Sequence, residues 1–362
     1  PRMRFSPAQS CPPAPYLGRR CPGGEPIPAR RRHERKGAIA MSAESGIVFN
    51  IQRFTIHDGP GIRTEVFLKG CSLRCKWCSN PEGISLRREV GVYPDKCLGR
   101  TVCGSCLEVC SLGGAPLLFH PETGKIGAID RSICVGCMKC TDACVIHALK
   151  SWGVRMTVEE VMAEVRADKN FYANSGGGIT ISGGEALLQW QFAAALLKAC
   201  RREGIHTCLE TCMQCSREAL EHILPLTDLL ITDIKHMDSA IHRRWTGVGN
   251  ETILDNIRYA SQCGVPLIIR VPVIPGVNDS EENLRATARF IAEKLHGQVV
   301  QIQLLTYLKM GVEKYDSLGQ DYPMGEDYNP PKREEREPWI AHLAEVMREY
   351  DINAVAGAST RL

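Results

Sequence analysis

From residue 157 onward the chain alternates between two kinds of apolar pattern. Short, nearly continuous apolar runs occur at 179–182, 207–210, 229–233, 267–273 and 299–305, and between them apolar residues recur at helical spacing. Continuous runs bounded by turn residues predict strands buried on both faces, and the spaced stretches predict helices. Thr157-Val-Glu-Glu160 is a capping box, expected to open a helix that runs to about Ala173. Further helices are predicted over 186–203, near Glu218, Ile253 and Asn283, and over 339–350. With an earlier apolar run at 66–70, the pattern gives six strand–helix units. Repeats of this kind build a parallel sheet in an α/β fold, and closing or partly closing it into a barrel puts the site at the strand C-terminal ends.

Two segments lack this rhythm. Residues 1–40 hold eight prolines and nine Lys or Arg against two acids, and such a stretch buries too little apolar surface to offset its ordering entropy. A disordered or artefactual leader is expected there, with Met41 as the start and Cys11 and Cys21 without a role. Residues 88–150 are instead dense in cysteine. The 362-residue chain carries 18 cysteines and a net charge of +3. So small a charge gives no case for nucleic acid, and no stretch has the length and flanks of a secretory signal or a membrane span. Clustered C-x2-C pairs then point to metal in a reducing cytoplasm rather than to disulfides. Oxygen-labile clusters make an anaerobe the expected source.

The sharpest chemical signal is Cys71-Ser-Leu-Arg-Cys75-Lys-Trp-Cys78 at the end of the first strand. Three thiolates can hold three irons of a [4Fe-4S] cluster and leave the fourth iron open to a small molecule. A zinc knot with a distant fourth ligand is the alternative. In the insert, Cys97-x5-Cys103-x2-Cys106-x3-Cys110 is followed by Cys134-x2-Cys137-x2-Cys140-x3-Cys144. The second run has bacterial ferredoxin spacing, in which the last cysteine of each run ligates the other cluster. The expected sets are therefore Cys97, Cys103 and Cys106 with Cys144, and Cys134, Cys137 and Cys140 with Cys110. Ser111 and Val145 stand where proline usually follows, and the gap after Cys97 is long.

Polar residues collect at the predicted strand ends. Gly183-Gly184-Glu185 ends the second strand, Glu210-Thr211 the third and Asp233-Ile234-Lys235 the fourth, while Arg270 lies within the fifth. Two glycines let a ligand approach the backbone. The ring as a whole suits a zwitterion, with Glu185 for the amine and Lys235 or Arg270 for the carboxylate. Upstream, His57-Asp58-Gly-Pro-Gly-Ile-Arg63 is a tight turn. It either presents His57, Asp58 and Arg63 beside the cluster or merely connects a hairpin.

Cys71-x3-Cys75-x2-Cys78 with Gly183-Gly-Glu185 resembles the radical S-adenosylmethionine superfamily. Gly46-Ile-Val-Phe-Asn-Ile-Gln-Arg-Phe-Thr-Ile-His-Asp-Gly-Pro-Gly-Ile-Arg-Thr64 and Cys78-Ser-Asn-Pro-Glu82 resemble the glycyl-radical enzyme activating enzymes, relatives of pyruvate formate-lyase activase, and the insert resembles their branch with two auxiliary clusters. The resemblance implies a (β/α)6 partial TIM barrel begun by residues 41–87 and completed by 151–362, with a ferredoxin-like double [4Fe-4S] domain inserted at 88–150. It implies three [4Fe-4S] clusters and S-adenosylmethionine, cleaved to a 5'-deoxyadenosyl radical that takes a hydrogen from one glycine of a partner glycyl-radical enzyme. That partner is expected to be a C–S or C–N lyase or dehydratase, of the isethionate sulfite-lyase or choline trimethylamine-lyase type. A flavodoxin or ferredoxin is the implied electron donor, and a cytoplasmic monomer the implied form.

Carried over by position, Trp77, Cys78 and Ser79 lie against adenine, and Gly184 and Glu185 bind the amino group. Asp233, Ile234 and Lys235 bind the ribose and carboxylate, and Arg270 completes the methionine end. Glu210, Thr211 and Asp233 match positions around a monovalent cation. Ala186 replaces a usual proline, and Leu308 replaces a histidine that contacts the nucleoside, for which His236 or a water is the substitute considered. A polyferredoxin electron carrier and a radical enzyme acting on a small molecule are the alternatives. Cys200, Cys208, Cys212, Cys215 and Cys263 are read as packing residues, and the stretch 315–331 as either a lid or docking loop or a solvated linker.

Overall fold

The computed structural model describes residues 44–295 and 297–360; the leader expected over 1–40 lies outside them. Strands β1 (Ser45–Thr55) and β2 (Arg63–Leu68) form an antiparallel hairpin. The insert follows, with β3 (Glu89–Val92), one-turn α1 (Ser105–Glu108), β4 (Leu117–Phe119), β5 (Ile126–Ile129), one-turn α2 (Lys139–Asp142) and β6 (Leu149–Trp152). β3 pairs with β6 and β4 with β5, making two small sheets apart from the large one. β7 (Val154–Thr157) then returns the chain antiparallel to β1.

The predicted alternation occupies the rest. It runs α3 (Val158–Ala167), α4 (Lys169–Ser175), β8 (Gly178–Gly183), α5 (Trp190–Arg202), β9 (His206–Thr211), α6 (Arg217–Ile223) and β10 (Leu229–Asp233). After these come α7 (Ser239–Thr246), α8 (Glu251–Gln262), β11 (Leu267–Val273), α9 (Glu281–Lys294), β12 (Val299–Thr306), α10 (Val312–Leu318), α11 (Arg333–Arg348) and β13 (Ala354–Ala356). β2, β8, β9, β10, β11, β12 and β13 are parallel neighbours in that order, and β1 and β7 complete a nine-stranded sheet whose edges are β7 and β13. Six of these are the predicted strands, and the three-residue β13 is too short to show a pattern.

The capping box forms as predicted: the Thr157 side chain accepts from Glu160 N–H while the Glu160 carboxylate accepts from Thr157 N–H. The helix it opens does not run unbroken to Ala173. It stops at Asp168, whose buried carboxylate accepts from Arg53 Nε at 2.9 Å and Thr64 Oγ1 at 2.6 Å, pulling that turn onto β1 and β2.

One face of the parallel sheet packs as expected. Val66, Leu68, Ile179, Ile181, Leu209, Ile269 and Ile302 join Phe192, Leu196 and Leu197 of α5 in the main core. Truncating any of these to alanine is worth roughly 2–5 kcal/mol. The other face is also buried but largely polar, carrying Glu65, Thr180, Ser182, Arg270, Gln301 and Gln303, above a small apolar floor of Cys208, Leu229, Ile231 and Ile268. The polar residues follow the period of 2 along each strand, and that inner face positions the site.

Candidate active site

The loop carrying Cys71, Cys75 and Cys78 leaves the C-terminal end of β2 and is sewn down by its backbone. Cys71 N–H donates to Ile84 O at 2.9 Å, Arg74 N–H to Thr246 O at 2.7 Å and Lys76 N–H to Trp245 O at 3.0 Å. Leu73 is buried as its anchor, and Ser72 Oγ donates to Gln214 O at 3.1 Å. Trp77 tilts against Trp245 with ring centroids 6.5 Å apart. The three sulfurs are mutual electrostatic neighbours. Burial pushes the Cys75 thiol up to about 12 and Cys78 to about 11, while a hydrogen bond from Cys212 lowers Cys71. Asn80 N–H donates to Cys78 Sγ at 3.4 Å. Three convergent sulfurs with an N–H donor fit a cluster bound through three cysteines, and binding iron there must displace the protons that burial holds on Cys75 and Cys78.

The structure brings the strand-end residues together mainly as partners of one another. Lys235 Nζ meets Asp233 Oδ2 at 2.7 Å. Burial opposes the lysine's charge, but Asp233 and the Cys75 sulfur outweigh it and hold the ammonium above its ordinary pKa. Its charge reaches Cys71, Cys75 and Cys78. Ile234 lies in the main core, and its N–H donates to Arg270 O at 2.9 Å. The Glu185 carboxylate is fully buried and accepts from Leu187 N–H, Thr211 Oγ1, Cys212 N–H and Cys212 Sγ at 2.7–2.9 Å. Burial raises its pKa even against those donors.

A side chain on either of the two glycines before Glu185 would collide with the chain. A Cβ on Gly183, whose φ is +132°, would lie 2.2 Å from Leu68 O, and one on Gly184 would lie 2.4 Å from Gly83 O. On the Cβ side the approaching group is the chain itself, which lets the cysteine loop seat on the end of β8.

The Asp-Gly-Pro-Gly turn connects the β1–β2 hairpin and precedes β2, so the six residues of β2, about 20 Å of strand, separate it from Cys71. Of the two expectations, the hairpin connection is the one observed. Arg63 is fully buried, with Nε on Thr180 Oγ1 at 2.6 Å and Nη1 on Pro60 O at 3.0 Å. The turn nevertheless reaches the polar inner face. Arg270 donates from Nη1 to Glu210 Oε1 at 2.5 Å and to Asp58 Oδ1 at 3.2 Å, from Nη2 to His57 O at 2.5 Å and from Nε to Gln303 Oε1 at 3.0 Å. The guanidinium is thus committed on every nitrogen.

Glu65 completes this group, since carboxylate oxygens of Asp58, Glu65 and Glu210 all lie within 4.8 Å of one another. One arginine cannot neutralise three carboxylates. Burial, then Glu210 and Asp58, push the Glu65 carboxyl up to about 10. The folded state therefore holds a proton that the unfolded chain releases near an ordinary pKa of about 4.3, so stability falls as pH rises from there toward 10. Glu65→Gln should flatten this decline and raise the melting temperature relative to wild type at pH 8, measured anaerobically at pH 6 and 8. An unchanged slope would place the proton elsewhere.

In the insert, one pocket is lined by Cys97, Cys103, Cys106 and Cys144, and another by Cys110, Cys134, Cys137 and Cys140. These are the two crossed sets expected from the spacing. Backbone N–H groups point at the sulfurs: Gly99 and Ile126 donate to Cys97 Sγ at 3.3 Å, and Leu149 to Cys144 Sγ at 3.4 Å. Cys97, despite its long gap, has two such donors.

Cys200 and Cys208 are packing residues, as expected. Cys212 is more than that, because its thiol bonds Glu185 Oε2 at 2.8 Å and touches Cys71. Its position just after the strand-end pair Glu210-Thr211 was the available signal. Sequence reasoning also missed Glu65, which joins Asp58 and Glu210, and Lys314, whose Nζ donates to Ser79 O at 3.2 Å and Asn80 Oδ1 at 2.8 Å just beyond Cys78. Leu308 is 45% exposed, and His236 Nδ1 accepts from Asp238 N–H at 2.9 Å. The stretch 315–331 is partly ordered by an aromatic cluster in which Tyr307, Tyr315, Tyr322 and Tyr328 meet edge to face.

A family model described as the radical SAM superfamily matches residues 66–288. The (2S)-3-sulfopropanediol dehydratase activating enzyme of Klebsiella oxytoca is 46% identical over 316 residues, spanning 87% of this chain and 98% of its own. The isethionate sulfite-lyase activating enzyme of Nitratidesulfovibrio vulgaris is 43% identical, spanning 80% of this chain and 92% of its own. The choline trimethylamine-lyase activating enzyme of Oleidesulfovibrio alaskensis is 41% identical, spanning 78% and 90%.

Proposed function

The chain belongs to the radical SAM superfamily and, within it, to the enzymes that activate glycyl-radical enzymes; from that premise we propose how its residues serve the reaction and which partner it serves. When bound, a [4Fe-4S] cluster and S-adenosylmethionine supply a one-electron cleavage of a carbon–sulfur bond, giving methionine and the 5'-deoxyadenosyl radical that takes the partner's glycine hydrogen. Cys71, Cys75 and Cys78 hold that cluster, with their loop fixed on Ile84, Trp245 and Thr246. Lys235, the largely buried cation whose charge reaches all three sulfurs, offsets their negative charge and is the residue assigned to the substrate carboxylate. Glu185 ties the end of β8 to Thr211 and Cys212 of β9 and its following loop, and so keeps the cysteine loop's seat rigid. Trp77 and Ser79 are assigned to the adenine side, and Glu210, Thr211 and Asp233 to a monovalent cation, which would have to share the two carboxylates with Arg270 and Lys235.

The sheet is read as a (β/α)6 partial barrel, and residues 88–150 as a ferredoxin-like insert holding two auxiliary clusters. The observation that carries the auxiliary clusters is the pair of four-cysteine pockets. A flavodoxin or ferredoxin would deliver electrons to a cytoplasmic monomer. Among the described residues, no helix is long and apolar enough to cross a membrane. Cys144→Ala should damage the cluster of Cys97, Cys103 and Cys106 while leaving the ferredoxin-spaced run loaded, as read by electron paramagnetic resonance of each reduced cluster. Loss of the other cluster would show that the sets do not cross.

The partner is a glycyl-radical enzyme that cleaves or dehydrates a small sulfonate. Support comes from the identities of 46% and 43% to activators of sulfopropanediol and isethionate enzymes. Mixing reduced protein and S-adenosylmethionine with purified partners of the sulfonate and choline types should install a radical on the former. A radical only on the choline type would overturn this assignment.

A further inference from the structure

Arg270 starts a row of side-chain hydrogen bonds whose direction is fixed. A guanidinium can only donate, so the Gln303 atom 3.0 Å from Arg270 Nε is the amide oxygen. The Gln303 nitrogen is then turned the other way, where it donates to Gln301 Oε1 at 3.0 Å. That leaves Gln301 Nε2 as the donor at the end of the row, and among the described residues it has no hydrogen-bond partner. Turning the Gln301 amide over is no remedy, because its nitrogen would then face the nitrogen of Gln303. Gln301 is fully buried. A buried amide donor left unpaired is costly, so this one calls for an acceptor that the chain does not supply.

The place of Gln301 in the sheet says what kind of acceptor can arrive. Gln301 and Gln303 lie on the polar inner face of β12, opposite Ile268 and Arg270 of β11. Beyond β12 only the three-residue β13 remains, and β13 and β7, the two edges, do not pair with each other. The inner face thus has a gap one short strand away from Gln301. Beside this row the chain already sets a main-chain acceptor, since Ala358 O accepts from Gln303 Nε2 at 3.4 Å, as does Thr360 Oγ1. The reaction itself brings a partner's glycine into contact with the adenosyl 5'-carbon. A glycine has no side chain, so a segment centred on it is held largely through its backbone.

We propose that Gln301 Nε2 donates a hydrogen bond to a backbone carbonyl of the partner segment that carries the reactive glycine. This rests on the activating role and the strand-end site given above. Gln301 stands two residues before Gln303, about 7 Å of strand farther from the C-terminal ends, so it holds a flank of the segment and not the glycine. Arg270, acting through Gln303, sets the direction of the amide in advance, and binding need not order it.

Gln301→Met keeps the length of the side chain and removes the donor, while Gln303 Nε2 retains Ala358 O and Thr360 Oγ1. The reduced, iron-loaded variant should hold the same iron as wild type and, without partner, release 5'-deoxyadenosine at the same rate. With a purified sulfonate-type partner, the concentration giving half-maximal glycyl-radical formation should rise about fivefold, the worth of one neutral hydrogen bond. The rate at saturating partner should be unchanged. An unmoved half-saturating concentration overturns the proposal. So does a fall in iron content or in partner-free cleavage, which would make Gln301 a support of the site and not a contact of the partner. If wild type radicalises only the choline-type enzyme, the partner assignment fails and the same comparison on that enzyme decides the role of Gln301. A radical on neither overturns the partner reading and, with it, the segment that Gln301 is proposed to hold.

Discussion

Replacing Cys75 with alanine is expected to abolish S-adenosylmethionine cleavage while leaving about two-thirds of roughly twelve irons bound, the share held by two remaining four-iron clusters. The effect should be complete because the three sulfurs of this loop leave no spare ligand among themselves. Cys212 touches Cys71 but is held by Glu185. The iron that remains should sit in the insert, whose two pockets each carry four cysteines and share none with the loop. Product analysis for 5'-deoxyadenosine with an iron assay on the same sample measures both halves. Retained cleavage would place the chemistry at another cluster, and loss of nearly all iron would show that the insert does not load on its own.

The second large effect is on stability. Arg270→Met should destabilise the fold by about 3–5 kcal/mol, because it strands Glu210 and Asp58 without their buried counter-charge. Burial already raises the pKa of Glu210, with Arg270 the main influence opposing it. Removing the arginine therefore raises it further. A carboxyl whose folded pKa lies above its unfolded value loses stability as pH rises, so the variant's deficit should grow from pH 6 to pH 8. Arg270→Lys should recover only part of the loss, since one ammonium cannot serve Glu210, Asp58, His57 O and Gln303 at once. Denaturant unfolding of the iron-free proteins at the two pH values gives the comparison, and a deficit independent of pH would mean that the carboxylates are not the cause.

The parallel sheet and the gathering of the insert's cysteines around two pockets were legible in the sequence because each depends on local spacing. A continuous apolar run at 267–273 reads as a strand wherever it lies, and ferredoxin spacing carries its own partner rule. The interior was less legible. Arg270 was read as lying within the fifth strand, and it does, but its commitment to an interior network with Glu210, Asp58 and Gln303 was not visible. No local pattern shows that the turn holding Asp58 folds back beneath it. Glu65 was hidden for a related reason: one acid in the run Arg63–Leu68 reads as a solvated position until a sheet order places Glu210 beside it. Gly183 and Gly184 were read as letting a ligand approach the backbone, and only the fold shows that Leu68 O and Gly83 O occupy the side where a Cβ would stand.

The central claim is that this chain moves a hydrogen atom from a partner's glycine to the 5'-carbon of S-adenosylmethionine. The most direct measurement uses a partner glycyl-radical enzyme made with deuterium on the glycine α-carbon, mixed anaerobically with the reduced, iron-loaded protein and S-adenosylmethionine. The account predicts deuterium in the released 5'-deoxyadenosine together with a glycyl radical on the partner; 5'-deoxyadenosine free of deuterium, with no radical on the partner, would contradict it.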